Sequence, residues 1–161
     1  MSIKSQYMFC DGKKTYKPYF KHEKGMVILG PPGCGKSTFC RKQNCKNWVD
    51  QDPLFSKLGA NWKTNYKNPN EFKLNYMRCD YLLEQSKQLG YRIIGSLFWA
   101  YVPDAIVIPP LKTHKEWIKN RKDLCFKQVN QIRKLLTKIA KENKVPIFKS
   151  CNEAVSFLES K

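Results

Sequence analysis

Residues 26–38 of the chain read MVILGPPGCGKST. The first four letters form a short apolar run of the kind that builds a buried strand. The stretch from Gly30 to Ser37 then fits the pattern G-x-x-x-x-G-K-S at every fixed position, and a helix is predicted to begin at Lys36. A strand, a glycine-rich turn and a helix in this order are the context in which the pattern binds phosphate.

The predicted loop suits a nucleoside triphosphate, whose phosphates present a dense array of anionic oxygens. Glycines let the backbone aim several N–H groups inward, and the start of the helix adds its positive end. Lys36 is expected to reach the β- and γ-phosphates, and the Ser37 hydroxyl is expected to bind Mg²⁺. ATP and Mg²⁺ are therefore the predicted cofactors. The residues predicted to bind the nucleotide are Gly30, Gly33, Cys34, Gly35, Lys36, Ser37 and Thr38.

Further along the chain, short apolar segments alternate with helical ones. Strands are predicted at 48–53, 91–97, 105–108 and 145–148, and helices at 36–46, at 68–89 with Gly90 as its C-terminal glycine, around 129–139, and after the capping box formed by Ser150 and Glu153. Buried strands joined by helices are typical of a parallel sheet covered on both faces. The sequence thus predicts an α/β fold of three layers, with a five-stranded parallel sheet flanked by helices.

Two segments lie outside this alternation. Residues 1–25 are predicted to be a small N-terminal extension, either a hairpin that turns at Asp11-Gly12 or a loosely ordered leader. The main domain is predicted to span 26–161. Within it, residues 111–123 form a basic and mostly polar stretch, in which His114 is expected to be a surface imidazole beside Lys115.

The chain is strongly basic. Its 161 residues carry 30 Lys and Arg but 13 Asp and Glu, a formal net charge of +17, with +9 on residues 1–80 and +8 on residues 81–161. Positive charge of this size attracts polyanions, so we expect a nucleotide substrate, and nucleic acid is a further candidate partner. No internal run without charge exceeds 11 residues, the length of the run from Ile93 to Pro103, which is too short to cross a bilayer. We expect no membrane segment, no secretory signal and a cytoplasmic location.

The seven cysteines are odd in number and form no C-x-x-C pair. Reduced thiols are therefore expected, rather than a disulfide framework or a zinc site. Cys34 lies inside the phosphate loop, where we expect a small filler and not a nucleophile.

With its phosphate loop and its order of strands and helices, the chain resembles the small P-loop kinases, the group of adenylate, nucleoside monophosphate, shikimate and polynucleotide kinases. Its small size, abundance of Lys and Asp50-x-Asp52 motif are similar to uncharacterised kinase-like proteins of large DNA viruses and phages, which would place it in the host cytoplasm. The resemblance covers residues 26–160 and implies the P-loop NTPase fold. It also implies that Asp50 or Asp52, after the second strand, orients the acceptor or holds Mg²⁺.

The same resemblance implies a short basic lid at about 110–124. In adenylate-kinase-like proteins, arginines of the lid close on the transferring phosphoryl group, and here Arg121 and Arg133 take that predicted catalytic role with Lys36. Arg78 is predicted to pair with an acceptor phosphate, because a guanidinium fork matches that shape. The third strand ends in Gly95-Ser96-Leu97 and lacks the acid that often holds Mg²⁺ in phosphate-loop enzymes.

The resemblance implies an enzyme that transfers the γ-phosphoryl group of MgATP to a nucleoside monophosphate or a similar small phosphate acceptor. Two alternatives remain open on the sequence. One is a polynucleotide 5′-kinase, which the net charge favours. The other is a nucleic-acid-binding P-loop NTPase that acts as a switch without a small acceptor, which the missing third-strand acid favours.

Overall fold

A computed structural model describes residues 21–43, 47–52, 69–96 and 100–161. Its centre is a five-stranded, all-parallel sheet with the strand order β2-β3-β1-β4-β5. The strands are β1 (Met26–Leu29), β2 (Val49–Asp50), β3 (Arg92–Gly95), β4 (Ala105–Val107) and β5 (Ile147–Phe148). The predicted α/β class and five-stranded parallel sheet flanked by helices are confirmed.

Five helices connect and follow these strands in the described residues. They are α1 (Lys36–Lys42), α2 (Pro69–Gln88), α3 (Leu111–Ile118), α4 (Phe126–Asn143) and α5 (Cys151–Glu159). The Ser150 cap at the start of α5 is confirmed, because the Ser150 hydroxyl accepts a hydrogen bond from the Glu153 N–H at 3.3 Å, whereas the Glu153 carboxylate accepts the Lys149 N–H at 3.0 Å. Helix α2 gives way to Gly90, whose φ of 89° matches its predicted place after a helix end.

The sheet is covered by helices on both faces. Along β1, Val27 and Leu29 point into a cluster with residues of α2 and α4, whereas Met26 and Ile28 point into a cluster with residues of α1 and α5. Successive strand residues face opposite sides of a sheet, so an uninterrupted apolar run is what a strand covered on both faces requires. This explains why β1 is apolar at every position.

Helix α3 was not expected. The sequence predicts a basic and mostly polar stretch here, but residues 111–118 form two helical turns, in which His114 and Ile118 are buried. The remaining elements agree with the predicted ones to within a few residues, and Leu97 of the predicted third strand lies outside the described residues. The predicted hairpin at Asp11-Gly12 also lies outside them.

Across the described ranges, no helix is long and apolar enough to cross a membrane. None of the five cysteines within those ranges forms a disulfide.

Candidate phosphate site at the carboxyl edge of the sheet

Parallel pairing brings the segments that follow the strands to one edge of the sheet. The glycine-rich loop follows β1, Asp50 ends β2, Gly95 ends β3, and Pro109 and Pro110 lead from β4 into α3. After β1 the chain continues to the face of the sheet that α1 covers. After the neighbouring β4 it continues to the opposite face, which α4 covers. Such a reversal opens a crevice at the carboxyl ends of the strands, where ligands of open α/β sheets bind.

The loop after β1 takes the backbone shape that its glycines predict. Gly33 and Gly35 have φ angles of 74° and 90°, a region that other residues rarely adopt. A β-carbon on Gly33 would also overlap the Ile118 side chain, whereas around Gly35 the same position has no atom within 4 Å. The loop is therefore packed against α3 at Gly33 and open at Gly35.

The Lys36 side chain folds back over this loop and is only 9% exposed. Its ammonium donates a hydrogen bond to the Pro31 carbonyl oxygen at 2.7 Å and lies 3.7 Å from the Cys34 sulfur. A buried ammonium needs partners to offset its lost hydration, and here the loop provides them. Phosphate oxygens would be stronger partners in the same place, because both groups are then charged. Ser37 and Thr38, next in α1, are exposed.

Cys34 packs inward, as the filler interpretation predicted. It belongs to the buried cluster that α1 and α5 share, together with Cys151. A hydrogen bond from Cys151 lowers the pKa of the Cys34 thiol, an effect that burial opposes and that the nearby Lys36 ammonium reinforces. Cys34 therefore contributes packing beneath the loop, and its backbone remains the part that the predicted nucleotide contact requires.

Asp50 and Asp52 differ in their surroundings, although the sequence treats them alike. Asp50 is buried, and its Oδ1 accepts the backbone N–H of Asp52 at 3.1 Å. Asp52 is an exposed residue, but its carboxyl is partly desolvated and lies close enough to Lys36 to feel the Lys36 charge. Desolvation and the negative charge of Asp50 raise the pKa of Asp52, and the Lys36 ammonium partly offsets this rise. Asp52 therefore lies within electrostatic range of the loop lysine.

Gln51, between these two acids, was missed by the sequence analysis. It is almost fully buried against Gly95 of β3, and its Oε1 has no hydrogen-bond donor among the described residues. A β-carbon on Gly95 would overlap that amide oxygen. The absence of a side chain at the end of β3 is therefore what admits Gln51 to the edge of the site.

We expect Gly95→Ala to lower the free energy of unfolding by about 1–3 kcal/mol, because the added methyl group must displace the enclosed Gln51 side chain. Gln51→Ala should relieve the overlap, so the double variant Gly95→Ala/Gln51→Ala should be more stable than the sum of the two single changes implies. Urea unfolding of the four proteins measures this coupling. Strict additivity would contradict the packing of these two residues.

His114 is buried, which corrects the expectation of a surface imidazole. Its exposed fraction is 0%, and it joins α3 to the phosphate loop. Nε2 lies 2.9 Å from the Pro32 carbonyl oxygen, and Nδ1 lies 2.8 Å from Nη1 of Arg133. A carbonyl only accepts and a guanidinium only donates, so the imidazole is neutral with its proton on Nε2. The same Arg133 nitrogen also donates to the Pro109 carbonyl at 2.8 Å.

Burial lowers the pKa of His114, and the charges of Arg133 and Lys36 lower it further, against the opposing hydrogen bond to Pro32. The unfolded chain then binds the proton more readily, so the stability that the neutral imidazole contributes is present above about pH 6.5 and is lost as the pH falls below that value. The loss cannot exceed about 1.4 kcal/mol per pH unit for one proton.

We expect His114→Gln to flatten this decline in unfolding free energy between about pH 6.5 and 5, because its amide replaces both hydrogen bonds without titrating. His22 also has a lowered pKa, mainly through desolvation, so His22→Gln is the control that separates the two imidazoles. An unchanged slope in His114→Gln would contradict the buried neutral state.

The predicted arginines lie in different places. Arg133 stands near the loop, since the charge of Cys34 acts on the Arg133 guanidinium and Nη1 of Arg133 donates to His114. Arg121 is exposed in the turn after α3 and forms a two-pronged ion pair with Asp123. Arg78 is exposed on α2. The structure thus brings Lys36, Asp52 and Arg133 to the loop region and shows no contact of Arg121 or Arg78 with them in the described part of the chain.

The donor set at this edge fits Mg²⁺ and a polyphosphate. The Ser37 hydroxyl and the Asp52 carboxylate are hard oxygen donors of the kind that Mg²⁺ prefers, and the Lys36 ammonium and the open loop at Gly35 suit anionic oxygens. The chain matches no model of a known protein family, and a comparison with curated proteins found no match.

Proposed function

We propose that the chain is an ATP-dependent phosphotransferase of the P-loop kinase type, which transfers the γ-phosphoryl group to a nucleoside monophosphate or a similar small phosphate acceptor. The observation that carries this proposal is that the Lys36 ammonium and the open turn at Gly35 lie at the carboxyl edge of the sheet, with the Asp52 carboxylate within range of the Lys36 charge. A cation, a set of loop amides and a hard anion are the parts that hold a metal–triphosphate complex.

In this proposal each residue near the loop has a separate task. Lys36 leaves the Pro31 carbonyl and binds the β- and γ-phosphate oxygens, while the amides around Gly35 bind the rest of the phosphate chain. Ser37 and Asp52 would hold Mg²⁺, which supplies neutralisation of the charge that develops on the phosphates. Asp52 also orients the acceptor, and Asp50 fixes the backbone of Asp52 through the hydrogen bond at 3.1 Å.

The three predicted arginines are supported to different degrees under the same proposal. Arg133 is favoured for the transferring phosphoryl group, because its guanidinium already stands beside the loop through His114. Arg121 would have to break its ion pair with Asp123 before it could bind phosphate. Arg78 is assigned to the acceptor phosphate on the shape of its guanidinium alone.

An acid at the end of the second strand compensates for the lack of one after the third. β3 ends at Gly95, neither Gly95 nor the following Ser96 carries a carboxylate, and Gln51 occupies the space beside Gly95. Asp52 is then the acid that the geometry offers for Mg²⁺, and this supports chemistry rather than nucleotide binding alone.

The direct test is mass-spectrometric detection of a phosphorylated product after incubation of the protein with MgATP and a mixed pool of nucleotides and oligonucleotides. We expect a mass gain of one phosphoryl group on a nucleoside monophosphate or another small acceptor. A phosphorylated oligonucleotide end would support the polynucleotide kinase instead. Slow release of inorganic phosphate with no phosphorylated acceptor would contradict the proposal and favour the NTPase switch.

A further inference from the structure

The positive charge of the second half of the chain is concentrated on α3, α4 and the segments that adjoin them. Residues 111–144 carry 11 basic and 3 acidic side chains, a net charge of +8, whereas the rest of residues 81–161 carries four of each sign and sums to zero. Ten of those 11 basic side chains are exposed, and the eleventh is Arg133. The even division of charge between the two halves of the sequence therefore hides a local excess.

On α4 the excess forms a row. Lys127, Lys134, Lys138 and Lys141 are spaced seven, four and three residues apart, which puts them on one side of a helix. They lie opposite the buried Val129, Leu136 and Ala140, and all four are exposed. At a rise of 1.5 Å per residue the row is ~21 Å long. An ordered row of this length suits an extended chain of phosphates better than one small anion.

A groove of about 500 Å³ lies where this row begins. Its apolar lining comes from Ile118, Leu124 and Phe126, and its basic lining comes from Lys115, Lys119 and Arg121, with Glu116 as the acid. Lys115 stands 4.9 Å from the centre of the Phe126 ring, and Lys127 of the row follows Phe126 directly. Apolar and aromatic surface beside cations suits a ligand that carries both flat apolar faces and negative charge.

We propose that the groove and the lysine row of α4 bind single-stranded nucleic acid. Phosphates would lie along the row, and unpaired bases would enter the groove beside Phe126, since bases stack on aromatic rings and backbones follow positive surfaces. In a duplex the bases are stacked inside, so the apolar lining of the groove would have no partner. The inference does not depend on phosphoryl transfer, because Arg121 is the one residue of the groove and the row with a candidate role in the proposed reaction, and the binding test leaves Arg121 unchanged.

The test is fluorescence anisotropy of a labelled oligothymidylate of about 20 nucleotides at 50 mM and 200 mM salt. The row variant Lys134→Gln/Lys138→Gln/Lys141→Gln is compared with the control Lys24→Gln/Lys42→Gln/Lys149→Gln, which removes the same charge from exposed lysines outside α3 and α4. We expect the row variant to bind at least ~10-fold more weakly, with the slope of log affinity against log salt reduced by about 2 for three lost phosphate contacts. The control should change little.

Two further measurements test the groove and the preference for single strands over duplex. Lys115→Gln/Lys119→Gln should also weaken binding of the oligothymidylate, and a duplex of the same length should bind more weakly than the single strand. Equal losses in the row variant and the control would overturn the proposal, because the attraction would then be diffuse. Duplex binding as tight as single-strand binding, or full affinity in the groove variant, would overturn it as well.

Lys36→Ala separates this proposal from the phosphotransferase. It should retain binding of the oligothymidylate, because Lys36 lies outside the groove and the row. A protein that binds MgATP but not the oligonucleotide would refute the nucleic-acid surface alone. A protein that binds the oligonucleotide but not MgATP would refute the phosphotransferase alone.

Discussion

Lys36→Ala is expected to lower phosphotransfer at least ~100-fold, because it removes a positioned cation from the phosphates where negative charge develops. The same change leaves the buried Pro31 carbonyl without its 2.7 Å donor, so we also expect a loss of about 1–3 kcal/mol in the free energy of unfolding. Isothermal calorimetry with MgATP and a steady-state assay measure the first effect, and urea unfolding measures the second.

Lys42→Ala is the matched control, since Lys42 is an exposed lysine at the other end of the same helix. It should keep both ATP affinity and turnover. A folded Lys36→Ala protein with wild-type phosphotransfer would refute the assigned role of the loop lysine.

Asp52→Asn is expected to reduce turnover by about two orders of magnitude and to weaken the response to Mg²⁺, because it replaces a charged oxygen ligand with a neutral one. Asp50→Asn should be milder, since an amide oxygen still accepts the Asp52 N–H. The measurement is a rate titrated with Mg²⁺ for the two variants and the wild type. Similar losses in both would contradict the division of tasks between the two acids.

The pH dependence offers a second contrast. In the proposed reaction Asp52 acts in its ionised form, so kcat/KM, which reports the free enzyme, should rise with pH as the raised pKa of Asp52 is passed. Asp50→Asn removes the like charge that helps raise the pKa, so the acid limb of the rate profile should move to lower pH. If the acid limb of the Asp50→Asn profile stays at the wild-type pH, a group other than Asp52 controls that limb.

Much of the fold could be predicted because its signals are local. The apolar run of β1, the glycines of the loop, Gly90 after α2 and the Ser150 capping box each act within a few residues of themselves. Helix α3 was missed because Lys and Thr dilute its apolar positions, although Leu111, His114 and Ile118 recur at helical spacing behind Pro109 and Pro110.

The site could be predicted only where one segment supplies it. The loop and the two acids could be recognised in the sequence, because the loop follows one strand and both acids lie at or just after the end of another. The contacts of His114 with Pro32 and of Gln51 with Gly95 join residues 82 and 44 positions apart. Such pairs depend on strand order and packing, which no local pattern encodes. The same limit explains why the sequence could not distinguish the buried Asp50 from the exposed Asp52.

Ile118 and Leu124 have a place in two sites at once. One side of each abuts Gly33 of the phosphate loop, and the other lines the groove between α3 and α4. A ligand that shifts these side chains in the phosphate loop or in the groove changes the free energy of binding at the other site. Thermodynamic linkage requires the two effects to be equal. If both ligands bind, oligonucleotide affinity measured with and without ATP should therefore differ by the same factor as ATP affinity measured with and without the oligonucleotide.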